Sequence, residues 1–226
     1  MKTFEELLNT DEPGWAVVQD WLRQATHPVE VLPPVEANRK PALVAVQVTT
    51  RSPLGAIIYD TGGILVDHGW LRILGSGCDR LPRSVAEWNK GRTFAEYGEP
   101  APYWLVADDV IGGFFALDGG CLGGTVGRMF YFAPDSLRWE SMDMGYSDFV
   151  WWCFTGDAAK YYADYRWQGW EQDAKNLPGD KGFSFYPFLW TKADSLESRS
   201  RRPIPIAELY GLQLDIARQL DGQEES

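Results

Sequence analysis

The side chains of this 226-residue chain with the chemistry to act on a substrate are Asp108, Asp109 and His68. Asp108 and Asp109 stand together at the end of the apolar run Tyr103 to Ala107. Two carboxylates in one site can divide acid and base roles in glycoside hydrolysis, and tryptophans can stack sugar rings. Neighbours on a strand face opposite sides, so the pair also reads as the solvated end of a strand. His68 lies in Val66-Asp67-His68-Gly69-Trp70. It could act as a base for Ser76 or Cys78 with Asp67 as its orienter, or stand as a structural histidine bonded to backbone. Adjacent Asp and His side chains on a strand diverge, which weighs against the relay.

Other chemistries lack their spacing. His27 and His68 are the only histidines, and neither CxxC nor HExxH occurs, so no metal site is expected. No serine is flanked by glycines at two residues on each side, which excludes a nucleophile elbow. Gly75-Ser76-Gly77 lacks a third glycine at the dinucleotide offset, and Gly119 to Gly127 is not followed by Lys-Ser/Thr. Both read as tight turns, and no cofactor is expected. The aromatic concentration between Phe130 and Trp190 reads first as core. Any part of it left exposed and ringed by acid would be a protein-binding surface, because aromatic anchors dominate binding hot spots.

Charge narrows the partners. A formal net charge of −11 opposes the phosphate backbone, since nucleic-acid affinity rests on Lys and Arg releasing counterions. A nucleic-acid or anionic-membrane partner is therefore not expected, and a basic protein is. The start, MKTFEELLNTDEPGW, carries charge where a secretory signal needs an apolar run. No segment reaches the roughly 18 consecutive apolar residues of a membrane span. The expectation is a soluble cytoplasmic protein with Cys78, Cys121 and Cys153 as reduced thiols. A composition 45% hydrophobic and 14% aromatic over 226 residues supports one substantial core, so residues 1–226 are expected to form a single domain without internal repeat or linker.

The elements that position these residues centre on Tyr103 to Phe132, where three apolar runs separated by acidic and glycine-rich turns predict a β-meander. Ahead of it, Thr3 with Glu6 predicts a capping box, and Trp15, Val18, Leu22 and Ala25 predict an amphipathic helix through about Gln24. Prolines 28, 33, 34 and 41 predict an irregular crossing from His27 to Pro41. Ala42 to Thr50 fits either a strand or a helix. Pro53 opens a short helix through Tyr59, Ile64 to Leu74 reads as one or two strands, and residues 78 to 102 as a long connection with a helical signal near Ser84 to Trp88. After the meander come a strand at Leu137 to Glu140 and a helix from Ser147 with an aromatic face. Phe183 to Trp190 reads as an extended piece broken by Pro187, then a charged link runs from Lys192 to Arg202. A last helix with its stripe at Ile206, Leu209, Leu212, Ile216 and Leu220 ends at Gly222, before a frayed tail from Gln223 to Ser226.

The string VTTRSPLGAIIYDTGGILVDHGWLRILGSG, with ADDVIGGFFALDGG, MFYFAPDSLRWE and GFSFYPFLW, resembles a bacterial family known only as a domain of unknown function. That resemblance runs nearly the whole chain and implies no activity. Residues 100 to 155 are also similar to the core of the SUKH superfamily: a strand, Ala107-Asp108-Asp109, a glycine, Phe114 to Asp118, a glycine hairpin, then Tyr131-Phe132 and a turn. This second resemblance implies an α+β fold and a role in immunity against toxins or as a scaffold. The long amino-terminal section departs from that pattern. Together these readings predict a single α+β domain, its antiparallel sheet built from residues 64 to 74, 103 to 132 and 137 to 140, with helices from both termini packed on it. The function expected is non-enzymatic binding of a basic protein partner. The alternative is a hydrolase on a small or carbohydrate substrate using Asp108 or Asp109 with His68.

Overall fold

The computed structural model describes residues 1–224 of the chain. Its first helix, α1 (Phe4–Leu7), starts on the expected capping box, with the Thr3 hydroxyl accepting from the Glu6 amide and the Glu6 carboxylate accepting from the Thr3 amide. Helix α2 (Gly14–Arg23) follows Pro13 and buries Val18. Gly14 is required there by close approach, since a Cβ would lie 2.8 Å from the Ser52 carbonyl oxygen at the head of α4 (Pro53–Asp60). The stretch expected to cross the surface irregularly is instead strand β1 (Val29–Leu32) followed by helix α3 (Glu36–Val46). The prolines at 28, 33 and 34 flank β1 and do not interrupt its ladder. Pro41 sits inside α3, where burial of Ala42, Leu43 and Val46 outweighs the lost amide.

Strands β2 (Gly63–Val66) and β3 (Leu71–Leu74) form a hairpin, and α5 (Val85–Asn89) is capped by the Ser84 hydroxyl. The meander comprises β4 (Tyr103–Asp109), β5 (Phe114–Asp118) and β6 (Arg128–Phe132). The next strand, β7 (Trp139–Gly145), starts later and runs further than expected, because buried Leu137 adopts a left-handed φ of 55° and turns the chain first. Helices α6 (Tyr146–Thr155), α7 (Ala158–Tyr161) and α8 (Trp170–Asn176) follow, the last two separated by a 3₁₀ turn at Ala163–Tyr165. Strand β8 (Lys181–Tyr186) pairs with β9 (Ser200–Pro205), so the expected charged link ends in a strand. Helix α9 (Ile206–Glu224) runs past Gly222, which does not stop it; Glu225 and Ser226, part of the tail expected to fray, lie outside the described residues.

The fold is α+β. Seven strands pair antiparallel in chain order from β1 to β7, leaving β1 and β7 as the two edges. One face carries Ile64, Val66, Ile73, Ala107 and Phe115, and α6 lies on it through Phe149, 4.9 Å from Phe115. The other face carries Leu65, Arg72, Asp108 and Phe114, with Tyr210 of α9 edge-on to Phe114 at 4.7 Å. Val18 of α2 and Leu209 of α9 join the same core, so helices from both termini pack on the sheet. A second apolar cluster of Trp70, Tyr162, Trp167 and Phe183 seats the β8–β9 hairpin.

Candidate functional site

Asp108 and Asp109 close β4, and strand alternation sends them to opposite faces. Both are fully buried. Asp108 points towards β3 and α5, where its two oxygens accept from Arg72 Nε and Arg83 Nη1, each at 2.5 Å. Both guanidinium groups are themselves buried. Arg72 also donates to the carbonyls of Lys181 and Asp109, and Arg83 donates to the Gly179 carbonyl at 2.8 Å from Nη2. One carboxylate thus ties β3, β4, the segment leading into α5 and, through Arg72, the start of β8 together. Burial lowers the Arg72 pKa, and the adjacent Asp108 opposes that shift.

Asp109 faces the other layer and accepts four hydrogen bonds. The amides of Ile111 and Gly113 reach Oδ1 at 3.1 and 2.7 Å, and the hydroxyls of Tyr131 and Tyr162 reach Oδ2 at 2.7 and 3.2 Å. Gly113 leaves the space for this, since a Cβ there would run into Tyr131 Oη and Asp109 Oδ2. Burial pushes the Asp109 carboxyl up to about 6, against the pull of its Tyr131 and Gly113 donors. The same burial and the neighbouring carboxylate push the Tyr131 and Tyr162 hydroxyls well above their ordinary range. Both aspartates are hydrogen-bonded on both oxygens and closed off from solvent.

His68 is placed elsewhere, in the β2–β3 turn. Asp67, His68 and Gly69 all have left-handed φ values, of 51°, 61° and 84°. The turn drives the Asp67 carboxylate inward to an ion pair with Arg166, which stacks 3.9 Å over the Trp170 ring. His68 turns the other way and stays partly exposed, with Glu171 at 4.0 Å. It lines a cleft of about 560 Å³ together with Arg72, Leu65 and Lys175; Asp108 and Asp109 are not among the lining residues. The other histidine, His27, is bonded through Nε2 to the Gly156 carbonyl. Ser76 is buried and bonded to the Thr61 carbonyl, and the three cysteines are free thiols. Sequence reasoning found the aspartates and His68 but missed Arg72 and Arg83. The one signal was an arginine inside the apolar run Leu71-Arg72-Ile73-Leu74.

At the opposite edge of the sheet, a groove of about 230 Å³ runs beside β7. Met142, Met144, Trp152 and Tyr161 line it, with Tyr131 and Glu140. Tyr161 and Trp151 are among the exposed large apolar side chains. Residues 131–165 carry six carboxylates against only Arg138 and Lys160. Much of the expected aromatic concentration is core, including Phe149, Phe154, Tyr162 and Trp167; Trp151, Tyr161 and Tyr186 are exposed, and of these Tyr161 lines the groove. Among the described residues no group of three or more His, Cys, Asp or Glu side chains is arranged to hold a metal ion. Among them also, no helix is long and apolar enough to cross a membrane.

These features define an α+β protein with an antiparallel sheet, an enclosed acid–arginine network at its centre and a concave surface at each edge. The chain belongs to the DUF2625 family, a protein family of unknown function whose model matches residues 4–209. It is 44% identical over 213 residues to the uncharacterized protein YbfG of Escherichia coli (strain K12), covering 94% of this chain and 96% of that protein. An uncharacterized protein of Haemophilus influenzae is 38% identical over 211 residues, covering 93% of this chain and 92% of its own length.

Proposed function

We propose that this protein is a cytoplasmic, non-enzymatic binding module of the immunity or scaffold type, which takes a basic protein partner on the groove beside β7. The observation that carries the reading is the union of three features in one place. Among the described residues, strand β7 is an edge whose outer backbone groups have no partner strand. The groove beside it is floored by methionine, tryptophan and tyrosine, which supply adaptable and rigid apolar anchors. Glu140 lines the groove, and the chain segment 131–165 that supplies the lining holds three carboxylates for each basic residue, a balance that favours a basic partner. An edge strand beside apolar pockets is also the geometry of strand addition. The similarity of residues 100 to 155 to the SUKH core supports the same class.

The hydrolase reading has weaker support, because both aspartates are covered and hydrogen-bonded on both oxygens, and neither lines the cleft that His68 lines. The test is capture from native lysate by wild type and by the charge-reversed variant Glu140→Lys/Asp143→Lys. Both side chains are exposed, and because Asp143 has a left-handed φ of 53° that Lys adopts less readily, the fold of the variant is checked by circular dichroism. One basic protein held by wild type, released by raised salt and lost by the variant is the expected result. Equal retention by the variant, or a complex indifferent to salt, would overturn the proposal.

A further inference from the structure

The cleft beside β1 carries chemistry unlike that of the acidic groove, and it lies at the other edge of the sheet. Its floor is a cross-strand row, Glu30 to Leu65 to Arg72, on the face where Asp108 also points. Above that row the sheet is uncovered between the Cys78–Pro82 loop, the end of α8 and the turn at His68. About 560 Å³ lies within the span of small-molecule sites, and a second hollow of about 440 Å³ shares His68 and Lys175 with it.

The lining combines an apolar bed with charges of both signs. Val29, Leu65, Ala174 and Leu177 supply the bed. Two of the charged side chains are already engaged, Arg80 by Glu30 and Arg72 by Asp108. Asp79, Lys175 and Asp180 also line the cleft and form no side-chain hydrogen bond or ion pair with another described residue. A purely anionic ligand would meet the two aspartates, and a purely cationic one would meet Lys175. A ligand with both charges on an apolar body answers both sets.

We propose that this cleft binds a zwitterionic small molecule with an apolar body, of the amino-acid or dipeptide class. Its carboxylate answers Lys175, its ammonium answers Asp79 or Asp180, and its side chains rest on Leu65 and Leu177. The site is independent of the protein-binding groove, and either can fail without the other.

The experiment is calorimetric titration with a panel of apolar amino acids and dipeptides. For the tightest binder, the N-acetyl form and the carboxyl-terminal amide are titrated as well. Saturable binding by at least one zwitterion is expected, with each singly charged analogue roughly tenfold weaker, since a charge-assisted hydrogen bond is lost in each. Leu65→Trp should abolish binding by filling the floor. Lys175→Glu, at an exposed position that leaves the fold intact, should weaken it severalfold. A panel without any binder, singly charged analogues as tight as the zwitterion, or unchanged affinity in Lys175→Glu would each overturn the proposal.

Discussion

Replacing Asp108 by Asn tests whether the centre of the fold is an electrostatic knot. The substitution keeps the shape of the side chain but removes its charge, and it puts an amide donor where a carboxylate oxygen accepted from a guanidinium. Arg72 and Arg83, at 3% and 7% side-chain exposure, would then share a neutral acceptor while still largely shielded from solvent. Breaking one buried ion pair from one side costs about 3–5 kcal/mol, and here one carboxylate serves two cations, so the upper half of that range is expected. With a urea m-value near 3 kcal/mol/M for a chain of this size, the midpoint should fall by about 1.3–1.7 M. Equilibrium urea unfolding followed by circular dichroism reads this directly. The triple variant Arg72→Met/Arg83→Met/Asp108→Leu should lose less than Asp108→Asn alone, because it leaves no buried charge behind. A loss below about 1 kcal/mol in Asp108→Asn, or a triple variant less stable than the single one, would refute the reasoning.

Two further expectations concern Asp109. Its folded pKa, pushed up to about 6, lies above the unfolded value near 3.9, so between those values the folded state binds more protons. Its contribution therefore falls as pH rises from 4 to 6, by about 3 kcal/mol in total. Unfolding midpoints at pH 4, 5, 6 and 7 should show this slope in wild type and not in Asp109→Asn; parallel curves for the two proteins would count against it. Tyr131→Phe and Tyr162→Phe each remove a donor from the buried carboxylate, at a cost of about 1.5–3 kcal/mol. The Tyr131 change should cost more, since its bond is 2.7 Å against 3.2 Å, and both should move the Asp109 carboxyl further up in a carbon-13 titration.

Much of the fold was legible because its signals are local. The Thr3 and Glu6 pair, the Ser84 helix start and the apolar runs of β4 to β6 each satisfy their own backbone within a few residues. What was missed depends on partners far along the chain. Strand β1 exists because Leu32 and its neighbours pair with Gly63 to Val66, and β9 exists because Ser200 to Pro205 pair with Lys181 to Tyr186. Flanking prolines masked the short run Val29 to Leu32, and arginines and prolines occupy β9 itself, which edge positions tolerate. The first half of the ambiguous run Ala42 to Thr50, up to Val46, resolved as helix because one of its faces is buried, which no local period could announce.

At the site, the sequence by itself determined which residues carry charge and that Asp108 and Asp109, adjacent on a strand, must part to opposite faces. It also determined the acidic balance and the glycine turns that let the meander reverse. Only the tertiary structure decided what each aspartate meets. Arg72 and Arg83 reach Asp108 from 36 and 25 residues away, and Tyr131 and Tyr162 reach Asp109 from 22 and 53 away. Burial is a property of the assembled layers, so the same two carboxylates that look reactive in sequence become the hydrogen-bonded centre of the fold. The surfaces left open lie at the two edges of the seven-stranded sheet, where the pairing of the described strands ends.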